Sequence, residues 1–411
     1  MSLVQPFRGL RPAPGRGSDI IAPPYDVLNS AEARLRAQGK PWSFLHISKP
    51  EIDLAEDIDP YDPAVYAKAA DNLQKMIEAG VLVRDEAPAY YAYRIVWGDH
   101  VQTGLVAGAS VADYDTNRIR KHEFTKPAKE DDRVRQIEAV NAQTGPVMLA
   151  YPASGELDAL IAAATTGTPD IDVTADDGIR HILWPIFAPE MLARITAAFD
   201  ALPALYITDG HHRSAAASRV SAARIAAGDD APDAAHRQFL TVIFPHHQLK
   251  ILDYNRVITD LNGLAPDALL AAIAKVATVS ESAEPARPTS PREVGMYLEA
   301  RWYRLRINDH LVPADPVGRL DISLLHDNII APILGIADPR RDERIDFVGG
   351  IRGLEELVRR VDSGEMKVAF ALYPTSLEDL MAVADADKVM PPKSTWFEPK
   401  LADGMVSLVL D

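Results

Sequence analysis

The sequence predicts a mixed α/β protein, and three observations carry that expectation. Short apolar runs such as FLTVIF (239–244) alternate with segments of helical period, for example Val65, Ala69, Leu73, Met76 and Ile77. AYYAYRIVW (89–97) and VQTGLVAGASV (101–111), joined by Gly98-Asp99-His100, read as two paired strands. An apolar strand over 204–208 meets Gly210 and turns into an alanine-rich helix over 211–227.

Each element has a local reason. Residues 1–19 are rich in Pro, Gly and Arg and should run over the surface, and Ile20-Ile21-Ala22 reads as a short strand stopped by Pro23-Pro24. Asp62 can cap a helix with Pro63 in its first turn and Gly80 as its stop. Lys121 to Val147 starts as a polar loop and becomes helical from about Asp131, where Asp131 and Asp132 suit the positive end of the helix dipole. A helix over 154–164 and one opened by Pro189 follow. Beyond about residue 260 the character changes. MYLEA and RWYRLRI form a hairpin, Asp321 caps a helix, GLEELVRRV is a further helix, VAFALYP a strand, and Ser376 caps SLEDLMAVADA. MPPKSTWFEPK (390–400) is a proline-stiffened loop before a last strand, MVSLVL.

Composition bounds the function. With 411 residues, 47% of them apolar, two or three packed units are expected. The formal charge of −16 opposes a surface built to grip nucleic acid or an anionic membrane. There is no cysteine, so disulfides, thiol nucleophiles, thiolate zinc sites and iron–sulfur clusters are excluded. The first residues lack an apolar core of signal-peptide length, and no run approaches ~18 apolar residues. A cytoplasmic protein is the expectation.

The chemistry concentrates in YITDGHHRSAAASR (206–219). A helix start presents unpaired amides and partial positive charge. Glycine lets a ligand approach the backbone, and an arginine adds a planar fork for phosphate. Gly210, His211, His212, Arg213 and Ser214 thus make a candidate phosphate cradle, in which His211 is also a candidate catalytic residue. Asp209 is placed to cap the helix, to bind magnesium or to act as a base.

Gly210-His211-His212-Arg213-Ser214-Ala215-Ala216 resembles the G-x-x-R-x-x-A phosphate box of the ParB/sulfiredoxin fold, which in that fold binds nucleotide phosphates. The Asp-Gly-His-His-Arg form also resembles the free-serine kinases built on that fold. A broader resemblance rests on IAPPYDVL, SFLHIS, KHEFT, TDGHHR, LDYNRV and MPPKSTWFEPK. Together they are similar to domain-of-unknown-function family ten-fifteen. The resemblance to that fold implies a ParB/sulfiredoxin-like α/β domain over 1–260, and a C-terminal α/β domain over 261–411 is expected to close over the site.

Other groups fill out the candidate site. Lys121 could neutralise phosphate and Glu123 act as a general base, against a reading of both as a solvated loop. Asp26, after the first strand, sits roughly where the serine kinases carry a basic carboxylate, or is an ordinary turn residue. Lys393, Ser394, Thr395 and Lys400 offer phosphate ligands without forming a Walker motif. His46 reads as packed and His246-His247 as structural, because neighbours on extended chain point apart. In Asp253-Tyr254-Asn255-Arg256, Asn255 and Arg256 could orient a substrate carboxylate, against the preferred reading of a polar loop.

The expected activity is a small-molecule phosphotransferase, acting on free serine or a similar hydroxyl metabolite with a nucleotide donor. A phosphomonoester hydrolase and a non-catalytic ParB-like nucleotide-binding protein are the alternatives. Mg2+ with ATP or ADP is the expected cofactor set, and the resident metal is left open. The partners expected are a phosphorylated metabolite or nucleotide and a second copy in a homodimer, with neither nucleic acid nor membrane.

Overall fold

A computed structural model describes residues 2–411. The chain forms two compact units. One runs from the N-terminus to Leu249 and resumes at Pro399–Asp411; the other is Lys250–Glu398. The division expected at 260/261 is thus displaced, and the last residues return to the first unit.

The first unit is built on a mixed sheet. In order across it lie Ile119–Arg120, Leu205–Asp209, Val147–Tyr151, Gln238–Pro245, His100–Ser110, Tyr90–Trp97, Arg180–Ile186 and Ile171–Thr174. Val4–Gln5 adds to His100–Ser110. Gln238–Pro245 runs parallel to Val147–Tyr151, and Leu205–Asp209 parallel to Ile119–Arg120; the other pairs are antiparallel. Every residue of Gln238–Pro245 and Val147–Tyr151 is buried, in keeping with their largely apolar sequences. Leu105, Leu149, Ile207, Phe239 and Ile243 pack one core with Ile195 and Phe199 of the helix Pro189–Asp200.

A smaller sheet of the same unit orders Leu82–Arg84, Gly9–Pro12, Ser407–Val409 and Ala142–Gln143. It brings the C-terminal strand between N-terminal elements. The helix Pro63–Glu78 sits beside it, capped by Asp62 accepting from the Ala64 amide. Val65, Ala69, Leu73 and Met76 are buried as expected, but Ile77 is 38% exposed because it lies past the edge of the buried stripe.

The second unit holds an antiparallel sheet: Ala277–Ser282, Arg301–Ile307, Glu293–Leu298, Val368–Leu372, Tyr254–Ile258 and Ile345–Gly349. Leu354 and Leu357 of the helix Gly353–Asp362 pack on it with Val257 and Tyr297. Ser376 caps its helix as expected.

Four local expectations fail for identifiable reasons. Residues 1–19 do not simply run over the surface: Val4–Gln5 joins the large sheet, and Gly9–Pro12, buried throughout, is an inner strand of the smaller one. Ile20 closes a short helix, Gly17–Ile20, instead of a strand, and Ala22 makes one isolated bridge to Asp403. Asp321 does not cap; its carboxylate accepts from the Arg292 amide, and the helix Asp321–Leu325 runs on as a π turn. The helix expected from Asp131 starts a turn earlier, at Pro127, which suits a helical first position.

Candidate functional site

The strand Leu205–Asp209 ends in a bulge, where its pairing with Val147–Tyr151 skips between Ile207 and Asp209. Gly210 then takes φ 98°, a left-handed value that favours glycine, and the helix His211–Ala226 begins. A bulge followed by a glycine re-aims side chains away from the sheet. The helix is capped by Gly210, not by the Asp209 side chain. Asp209 instead accepts from Lys400 Nζ at 3.4 Å and lies 3.5 Å from Arg213 Nη2. Burial raises this carboxyl, but the Lys400 and Arg213 charges outweigh it and hold the group down at about 2. A carboxylate so firmly ionised anchors cations and makes a poor base.

Arg213 is buried, with Nη1 donating to the Pro146 carbonyl at 2.8 Å. Burial opposes its charge, while Asp209, Asp26, Tyr25 and Asp403 reinforce it. The guanidinium still borders open space. It lines a narrow pocket of about 30 Å³ with Tyr25, Arg133, Gln143, Thr144 and Asp403. Gly145 belongs to the same wall. Arg133 comes from the helix Pro127–Val140, lies 4.0 Å over the Tyr25 ring, and is oriented by Asp132 at 2.8 Å. Two guanidinium groups from two helices therefore face one cavity.

Asp403 is the acidic member. It is 1% exposed, and no side chain hydrogen-bonds its carboxylate. Burial lifts it to about 7, against the opposing pull of Arg213 and Arg133. Its place is set by the backbone bridge to Ala22.

The remaining expected residues fall in several places. Asp26 is exposed on the turn Tyr25–Val27, and its charge acts on both Arg213 and Asp403. His212 Nε2 accepts from the Lys126 amide at 3.0 Å, which pins the polar loop to the helix start. Ser214 is fully buried, and its hydroxyl donates to the His211 carbonyl at 3.1 Å, so it serves its own helix. Lys121 Nζ stands 3.9 Å over the Tyr114 ring. Lys393, Ser394 and Thr395 belong to the second unit, where Lys393 has φ 60° and its carbonyl accepts from Arg256 Nη2 at 3.0 Å. Ser394 donates to the Pro391 carbonyl. Arg256, read as part of a polar loop, is a buried strand residue stacked against Phe347.

His122, Glu123 and His211 form a second cluster, with donor atoms all within 4.8 Å of one another. The two imidazole rings meet edge-on at 4.5 Å between centroids. Glu123 Oε2 lies 3.9 Å from His211 Nδ1. Burial lowers both rings, His122 to about 4, so both are neutral near pH 7. A neutral ring offers a lone pair and cannot act as an imidazolium acid.

Sequence reasoning singled out Arg213 and missed Tyr25, Arg133 and Asp403 as one group. Nothing in the spacing of residues 25, 133 and 403 marks them as neighbours. The signal that existed was local: a buried-looking aspartate in LADGM, between apolar residues.

These features define a mixed α/β protein of two units, the first carrying a polar pocket with two arginines and a buried aspartate. The chain belongs to the family described as protein of unknown function (DUF1015), whose profile matches residues 4–323. No curated protein matches its sequence. Among solved structures it is similar to a free serine kinase in complex with AMP, at 14% identity and a TM-score of 0.34, covering 71% of this chain and 86% of that one. It is also similar to SbnI with C-terminal truncation from Staphylococcus aureus, at 12% identity and a TM-score of 0.37, covering 71% and 82%. A conserved hypothetical protein from Pyrococcus furiosus shares 13% identity at a TM-score of 0.33, covering 72% and 93%. Likeness of this degree fixes neither substrate nor site. Among the described residues no helix is long and apolar enough to cross a membrane.

Proposed function

We propose that this protein is a small-molecule phosphotransferase that takes a nucleotide donor and passes its phosphoryl group to a hydroxyl metabolite, free serine being the first candidate. The observation that carries the reading is that Arg133 and Arg213 line one pocket. Phosphoryl transfer asks a protein mainly to position its reactants and to neutralise spreading negative charge. Two guanidinium forks held by second carboxylates, Asp132 and Asp209, do both without reorganising.

In this reading the Gly210 turn lets phosphate oxygens approach the amides at the helix start, with His212 beside the turn and Lys121 assigned to phosphate on its charge. Asp26, exposed and electrostatically coupled to Arg213, takes the proton of the acceptor hydroxyl. Lys400 keeps Asp209 ionised and in place. Magnesium enters on the nucleotide phosphates, since a hard cation prefers oxygen ligands. Lys393, Ser394 and Thr395 are assigned to phosphate binding on their chemistry alone.

The test is thermal unfolding with ATP, ADP, CTP, phosphate and phosphoserine at millimolar concentration, with and without Mg2+. A ligand at a hundred times its Kd stabilises by about 2.7 kcal/mol, so modest binders register. A shift with a nucleotide that disappears in Arg133→Met, and phosphoserine formed from serine in a phosphorus NMR assay, support the reading. Phosphate released from phosphoserine without nucleotide selects a hydrolase instead. No shift with any phosphate compound ends the proposal.

A further inference from the structure

We infer that His122, Glu123 and His211 form a binding site for one divalent transition-metal ion of the zinc type. The inference is independent of phosphotransfer, and it stands on the geometry of three side chains.

His122 is 2% exposed, and its Nδ1 is buried without a hydrogen-bond partner. The same ring is held by the Ile207 carbonyl, an acceptor that requires a proton on the other nitrogen, Nε2. Nδ1 is therefore a bare lone pair with nothing to receive. An orphaned buried acceptor is uncommon in a folded protein and calls for a missing donor or cation.

The neighbours identify which. A second imidazole, His211, and the Glu123 carboxylate stand beside His122, with one donor atom from each of the three residues within 4.8 Å of the others. Two imidazoles and one carboxylate are a common ligand set for Zn2+ with open positions, whereas Mg2+ favours oxygen ligands throughout. Bonds of about 2.1 Å around a tetrahedral centre place ligand atoms roughly 3.4 Å apart. The widest separation must therefore contract by up to about 1.4 Å. Glu123 can supply that movement, because its side chain is 55% exposed and sits in a loop without regular structure. The Ile207 carbonyl already orients His122, as an outer partner orients a metal-bound imidazole.

His211 has one adjustment to make. Its Nε2 receives the His122 amide at a long 3.4 Å, which leaves the proton on Nδ1, facing Glu123. Metal at Nδ1 moves that proton to Nε2, and the amide contact is given up. No net proton is lost from the ring.

The experiment uses the full chain, stripped with a chelator and dialysed. Zn2+ and Mg2+ are titrated calorimetrically, and Co2+ is followed by its visible absorption. The expected result is one equivalent of Zn2+, bound at least about 100-fold more tightly than Mg2+, with a Co2+ spectrum of low coordination number. Glu123→Gln and His122→Asn should each weaken Zn2+ by at least about tenfold. Should His122→Asn fail to fold, Glu123→Gln decides, since its side chain is largely in solvent. Absence of Zn2+ binding in the wild type overturns the inference, as does wild-type affinity in Glu123→Gln. Loss of phosphate binding with Zn2+ binding intact would strike the phosphotransferase reading alone.

Discussion

Lys400 Nζ donates to Asp209 Oδ2 at 3.4 Å, joining the C-terminal segment to the strand end before the Gly210 turn. Asp209 in turn lies 3.5 Å from Arg213. The arginine of the pocket is thus positioned through a residue that reaches it from the far end of the chain.

Lys400→Met should lower stability by about 1 kcal/mol and not the several of a buried pair. The Asp209 side chain keeps 32% of its surface in solvent, so water screens the charge left behind. Urea unfolding reads this as a drop in midpoint with unchanged slope. Stabilisation by millimolar phosphate should also weaken, because Arg213 becomes the remaining cation for Asp209.

Gly210→Ala should be more damaging. The backbone there has φ 98°, and an added Cβ would lie 2.9 Å from Arg213 Nε. Strain of this kind costs roughly 1–3 kcal/mol, and the guanidinium must shift to admit the methyl group. Thermal unfolding should fall accordingly, and stabilisation by millimolar phosphate should be lost.

Arg213→Lys keeps the charge and removes the fork. The Pro146 carbonyl and Asp209 cannot both be served with the same geometry by an ammonium group. Phosphate or nucleotide affinity should fall at least about tenfold, measured by calorimetry. Retained affinity would show that the pocket reads charge alone.

Asp403 makes stability depend on pH. Its carboxyl is raised to about 7 in the folded protein. The unfolded group titrates near the ordinary carboxylate value, about 3.9. Between these values the folded state holds a proton that the unfolded state has lost, so this group's contribution to stability falls as pH rises from about 4 to 7. Asp403→Asn should match the wild type near pH 4 and exceed it at pH 8 by up to a few kcal/mol. Sulfate keeps its charge over this range. Its protection should weaken from pH 6 to 8 in the wild type and stay level in the variant.

The local part of the design is legible in the sequence. Asp62-Pro63 and Ser376 announce their helices, because a cap and its first turn are made by residues three or four apart. The Gly210 turn and the charged Arg213 beside it are legible for the same reason. Asp209 shows the limit. Its position suggested a cap, but a cation brought by the fold competes for the carboxylate, and Gly210 takes the cap position. Asp321 misled in the same way, its carboxylate drawn to an amide 29 residues earlier.

By itself the sequence determined the mixed α/β class, the strand–turn–helix step at Gly210 and the presence there of an arginine suited to anions. Tertiary structure alone decided that Arg133, Arg213 and Asp403 share a cavity, and that Lys400 returns to the first unit while Lys393 lies in the second. The reason is physical. Local propensity is set by neighbours within a turn, whereas a pocket is set by strand order, and strand order follows from which apolar faces bury one another across the whole chain.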